Sequence, residues 1–165
     1  MTLRFPAAAW LLALVMAFAG CASPPRASGP PDAAATSWAG RLALQVENQP
    51  SQSFSAGFEL KGSAQSGELT LLSPIGGTLA VLSWRPGAAS LLSGGKTSEF
   101  DSVEALVAHA TGSPIPVAAL FDWLRGIDSP VPGWKADLSQ LAQGRILAKR
   151  LEPPPVADLR VVLER

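Results

Sequence analysis

From Trp38 to Leu60 the chain alternates apolar and polar residues with a period of two. Leu42, Leu44 and Val46 fall on one side and Arg41, Ala43 and Gln45 on the other. After Asn48-Gln-Pro-Ser51, Phe54, Ala56, Phe58 and Leu60 alternate with Ser53, Ser55, Gly57 and Glu59. Such alternation marks strands with one buried and one wet face, and so short a link joins antiparallel neighbours. Gly62 to Gly67 turns the chain again. Glu68–Leu72, Thr78–Trp84 and a shorter Ala88–Leu92 supply three further strands, so the first half is predicted to be a meander.

The period then changes. Val103, Leu106, Val107 and Ala110 recur at helical spacing before Gly112, behind Asp101-Ser-Val-Glu104, which has the form of a capping box. After Ser113-Pro-Ile-Pro116, a second helix is expected with Val117, Leu120, Phe121 and Leu124 on one face and Gly126 as its stop. Short strands resume at Trp134–Leu138, Gly144–Leu151 and Asp158–Leu163, and no internal repeat is visible. Two helices therefore interrupt a β protein.

Ahead of this domain, Arg4 and the apolar run from Ala7 to Gly20 have the form of a secretory signal. The run is too short to span a bilayer with ease, which takes about 20 residues. It ends at Cys21, the single cysteine. Phe18-Ala19-Gly20-Cys21 resembles the lipobox of bacterial lipoproteins, with Phe18 where leucine is more common. The resemblance implies cleavage of residues 1–20 and acylation of Cys21. Ala22 lacks the aspartate that would argue for inner-membrane retention, so delivery to the outer membrane is expected. Residues 21–37 hold Pro24, Pro25, Pro30 and Pro31 among Ala, Ser and Gly and read as a flexible tether. Residues 38–165 remain as one domain, the common size.

Composition narrows the chemistry. Basic and acidic residues number 13 each, so nothing attracts nucleic acid. Only 16% of residues are charged, against roughly 25% in an average domain; the chain is oily for its size. One histidine and one cysteine cannot make a four-ligand zinc site, and no cofactor or metal is expected. Ser93-x-x-Lys96 matches a penicillin-recognising pattern without its companion motifs, and Gly95-Lys96-Thr97 lacks the leading glycine of a phosphate loop, so a glycine turn before Phe100 is the better reading. His109 reads as a surface residue, and Asp122 and Asp128 do not pair for acid–base work. No catalytic residue is expected.

Ser73-Pro-Ile-Gly-Gly77 joins two strong strands, with proline and glycine suited to the second and fourth positions of a turn. Ile75 then sits at the tip, where it either folds back into the core or is exposed for something it touches. With this loop the chain resembles the LolB outer-membrane lipoprotein receptors. The resemblance runs through Trp38-Ala-Gly-Arg-Leu42, Phe54-Ser-Ala-Gly-Phe58, Leu71-Leu-Ser-Pro-Ile-Gly-Gly-Thr-Leu79, Gly112-Ser-Pro-Ile-Pro-Val117 and Trp123-Leu-Arg-Gly126.

The resemblance implies an incomplete antiparallel β-barrel covered by short α-helices, in the manner of LolA and LolB, with an apolar cavity for acyl chains. It implies a monomer, lipid-anchored to the outer membrane and facing the periplasm. That monomer would take acylated lipoproteins from a LolA-like periplasmic carrier and release them, without ATP, into the outer membrane's inner leaflet. Pro74, Ile75 and Gly76 match the loop from which the family projects a leucine implicated in membrane insertion. Leu44, Phe58, Leu71, Val81, Leu106, Phe121 and Trp123, on inward faces or in the helical motif, are the candidate cavity residues, each equally compatible with ordinary core. The family's helix before the first strand has no counterpart, and Glu152-Pro-Pro-Pro155 replaces regular strand, which implies a trimmed barrel. The alternative is a structural lipoprotein that binds a partner without transfer.

Overall fold

The computed structural model describes residues 36–48, 53–111 and 114–164, all within one compact unit, Ala33–Arg165. Cys21, the signal and most of the tether lie outside the described residues. Nine antiparallel strands form one sheet: β1 (Thr36–Val46), β2 (Phe54–Gly62), β3 (Gly67–Leu72), β4 (Thr78–Arg85), β5 (Ala88–Ser93), β6 (Lys96–Phe100), β7 (Trp134–Asp137), β8 (Arg145–Arg150) and β9 (Ala157–Leu163). Their order is β6-β5-β4-β3-β2-β1-β9-β8-β7, so β9 returns to pair with β1 and the two edges, β6 and β7, stay unjoined. The barrel is incomplete. Helices α1 (Val103–Thr111) and α2 (Val117–Leu124) lie in the connection between those edges.

The period-two pattern decides which face of the sheet is buried. Leu44 opposes Phe54 and Leu159 across β2–β1–β9, and Phe58 opposes Leu71, so alternate residues of neighbouring strands meet on one side. Arg41, Ser55, Glu59 and Arg160 emerge on the other. β1 begins at Thr36, two residues ahead of the expected start at Trp38. β6 is the element the sequence hides. Lys96-Thr-Ser-Glu99 is exposed throughout and carries no apolar alternation, as suits an edge strand that must not recruit others. The glycine turn expected there is real: Gly94 and Gly95 both take positive φ between β5 and β6, as a two-residue hairpin of this hand requires.

The start of α1 corrects the expected capping box. Ser102 Oγ, not Asp101, accepts from the Ala105 N–H at 3.1 Å, because the helix opens one residue later than that motif assumes. The stop of α2 is as expected. Gly126 has φ of 82°; its N–H donates to the Trp123 carbonyl and that of Ile127 to Asp122, the paired bonds of a Schellman ending. Asp122 then fastens the exit, accepting from Ser129 Oγ at 2.6 Å and from Arg125.

α2 is held by aromatic rings. Phe121 meets Trp38 of β1 at 5.6 Å and Trp84 of β4 at 6.2 Å, both edge-on, a favoured geometry for aromatic pairs. Trp123, with no exposed surface, lies 6.3 Å from Trp134 of β7. α1 packs against β4, β5 and β6 through Val103, Leu106 and Val107. At the far end of β8, Arg150 is 3% exposed and gives Nε and Nη2 to the Pro155 carbonyl at 3.2 and 2.9 Å. Burial pushes its pKa below the ordinary value. The arginine thereby ties the proline segment, which stands in place of continuous strand, to the sheet.

Replacing Phe121 with alanine removes a buried ring and both tryptophan contacts. It should lower stability by about 3–5 kcal/mol, read by urea unfolding. The bonds from Ser129 and Arg125 hold the Asp122 carboxyl below its ordinary pKa of 3.8. Its contribution is therefore present above that value and lost as pH falls through the lower, folded one. Asp122→Asn should flatten this acid limb, measured as the unfolding midpoint against pH.

Candidate functional site

Between the concave face of the sheet and the two helices lies a cavity of about 60 Å³. From the sheet, Leu42, Phe58, Leu69, Leu71 and Leu82 line it; from the helical layer come Val103, Val107, Ile115, Leu120 and Leu124. Alternation builds the first wall and the 3–4 spacing the second. α2 turns Phe121 and Trp123 into the sheet and leaves Leu120 and Leu124 over the cavity. The polar member of the lining is Thr111, whose hydroxyl donates to the Val107 carbonyl at 2.8 Å. The walls thus offer an occupant apolar surface and no hydrogen bond to read.

The space is tight. An engineered cavity of about 150 Å³ holds a benzene ring, so no acyl chain enters 60 Å³ unless the walls separate. The sheet is one hydrogen-bonded ladder, whereas the helices meet it through side chains. Separation therefore belongs to the helices.

The loop between β3 and β4 is the opposite case. At the base the Ser73 N–H donates to the Gly77 carbonyl at 2.8 Å, the Gly76 N–H donates to the Ser73 carbonyl at 2.9 Å, and Ser73 Oγ accepts from the Gly77 N–H at 3.0 Å. Pro74 and Ile75 occupy the turn centre, and Gly76 has φ of 84°. Ile75 is 96% exposed. A tied turn thus holds a large aliphatic side chain in water, and the possibility that it folds back into the core is excluded.

A model of the family described as "Outer membrane lipoprotein LolB" matches residues 35–152. A relative from Bordetella petrii, named outer-membrane lipoprotein LolB, is 38% identical over 144 residues, covering 84% of this chain and 71% of its own. The chain belongs to the LolB family. Relatives of the same name from Chromobacterium violaceum and Bordetella pertussis are 32% and 35% identical, and the matches cover 68% and 60% of their lengths. Strand β9, which pairs with both β1 and β8, follows the family match in sequence.

Within this LolB fold the candidate residues separate. Phe58 and Leu71 line the cavity. Leu44, Leu106, Phe121 and Trp123 are buried in the surrounding core, with the last two anchoring α2. Val81 faces the other way. Ala80, Leu82 and Trp84 share the inward face of β4, and Val81, opposite Thr70 and Leu92, is on the outer one. Leu79, Val81 and Leu82 are all apolar, so hydrophobicity alone does not choose the face; the parity of Trp84 does. Most of the lining lies outside the candidate set, Leu42, Leu69 and Leu82 on the sheet and Val103, Val107, Ile115, Leu120 and Leu124 in the helical layer among it; the helical repeat is the available signal for Val103, Val107, Leu120 and Leu124. Of the decoys, Ser93 Oγ donates to the Leu79 carbonyl at 3.2 Å and pairs in register with Lys96 across the hairpin. His109 is exposed, its ring 5.2 Å from Phe100.

Leu120→Ala should widen the cavity without touching the aromatic anchor. Stability is expected to fall by about 2 kcal/mol and binding of an apolar fluorescent probe to rise, measured by titration of its emission.

Proposed function

We propose that the domain is the outer-membrane acceptor for lipoproteins, taking their acyl chains from a periplasmic carrier into the space between sheet and helices and passing them to the inner leaflet. The observation that carries this reading is the cavity, whose lining is apolar and whose single hydroxyl is already bonded within α1.

Such a lining suits the task physically. Each methylene removed from water contributes about 0.8 kcal/mol, so an acylated terminus requires shelter at every soluble step. Apolar walls supply that shelter without reading the polypeptide behind the lipid. A bilayer offers the tails an equally apolar destination, so transfer needs neither ATP nor catalysis. The Pro74–Ile75–Gly76 turn presents the one extreme aliphatic exposure of the described residues and serves as the contact that enters the leaflet. Lipidation at Cys21 places the acceptor at that membrane, with the domain acting as a monomer.

The smallness of the closed cavity favours one other reading, a structural lipoprotein that binds a partner and carries nothing. Mixing lipoprotein-loaded carrier with the mature chain bearing Cys21→Ser separates the two: cargo moves to the acceptor, or it stays on the carrier and the receptor reading is lost. Ile75→Glu should leave folding and acceptance unchanged while slowing release into liposomes by about tenfold or more, in keeping with the 1.5–3 kcal/mol that burying such a side chain contributes. An unfolded Ile75→Glu protein would contradict a role confined to the loop.

A further inference from the structure

The outer face of the sheet carries a second concavity, separate from the acyl cavity and roughly 470 Å³ in volume. Small residues of β1 and β2, among them Ala43, Ser55 and Gly57, make its floor. A side chain at Gly57 would begin 3.3 Å from the Leu72 Cβ, so crowding accompanies any larger residue there. One wall is the membrane loop itself, through Ser73, Pro74 and Gly76; the facing wall is Arg160 and Val162 of β9, with Arg41 beside them.

Charge is concentrated along that facing wall. Val162 is opposite Arg41 on one side and Arg145 on the other, and Arg160 is two residues along the same face. The three arginines are exposed, and none forms an ion pair among the described residues. Of the two carboxylates in the groove, Glu59 is engaged by Lys61 at 3.4 Å, which leaves Glu164. Guanidinium groups at the lip of an otherwise small-floored, partly apolar groove match a phosphate attached to a glycerol backbone, since planar N–H forks fit phosphate oxygens.

We propose that this groove is a phospholipid headgroup site, in which Arg41 and Arg160 hold the phosphate of a bilayer lipid beside the inserted loop. The inference rests on the membrane role of Ile75. An apolar group buried at the boundary of headgroups and acyl chains reaches about 5–10 Å below the surface, and the wall formed by its own loop then stands at phosphate depth. The loop supplies the apolar contact and the groove the polar one. Together they fix which side of a tethered domain meets the bilayer.

Binding of the mature chain with Cys21→Ser to vesicles tests this. Vesicles of phosphatidylcholine alone are compared with vesicles containing phosphatidylglycerol, by co-sedimentation. Arg41→Gln with Arg160→Gln should lower the partition into anionic vesicles by about 30-fold. Lys135→Gln with Lys149→Gln, on β7 and β8 outside the groove, should change it far less. Equal losses in the two double variants would mean diffuse charge and overturn the proposal, as would an unaffected arginine variant. Stronger inhibition by inorganic phosphate than by chloride at equal ionic strength, with no dependence on the lipid, would make the groove a free-anion site and overturn it too. Ile75→Glu reports separately: if it binds phosphatidylcholine vesicles as the parent does, the loop reading fails, whatever the arginines show.

Discussion

Phe121 of α2, set edge-on against Trp38 and Trp84, is the contact on which the rest of the molecule depends. The sheet does not close on itself, so its concave face needs a cover, and no backbone ladder joins the cover to it. Among the described residues, side-chain packing holds the helices down. That choice has a mechanical consequence: a barrel sealed by hydrogen bonds along every strand opens only by breaking them in series, whereas a helix seated on apolar side chains can shift and reseat. The aromatic anchor fixes where α2 sits; Leu120, next to Phe121 in the helix, and Leu124 face the space it covers.

Two apolar features have opposite exposures. The cavity hides its lining in a volume of about 60 Å³, while Ile75 is 96% exposed on a turn locked by Ser73 and Gly77. Ordinary folding physics would bury the isoleucine and has no use for a void. The proposed acceptor function gives both a use, one as the resting state of a shelter and the other as the place where that shelter would meet lipid. On the headgroup proposal, the arginines of the outer face add a polar half to that meeting. They lie across a groove from the same loop, on the side of the sheet away from the cavity under the helices.

Much of this was legible in the sequence because period and burial agreed. Leu42 to Leu60 gave two strands, and Gly126 ended α2 as its φ demands. The failures have separate physical causes. β6 escaped because an exposed edge strand needs no apolar alternation; Lys96 to Glu99 are recognisable only through the hairpin glycines before them. Val81 reads as inward because β4 carries apolar residues on both faces, a pattern in which parity must be read from the largest side chain, Trp84. The helical motif puts Phe121 and Trp123 in the cavity wall, whereas α2 is buried on more than one side and uses them as its anchor. Nothing in the local sequence marks Arg150 as buried; its partner is a carbonyl five residues on, in a proline segment with no regular structure.

Under the proposed acceptor function, acyl chains enter by lifting the helices from an unmoving sheet. Spin labels at Ala118, on the exposed side of α2, and Glu68, exposed on β3 and outside the arginine groove, would report the separation in the mature chain bearing Cys21→Ser before and after loading with an acylated lipoprotein. The distance should lengthen on loading and return to the original on release to liposomes. An unchanged distance in a chain shown to hold its cargo would contradict it.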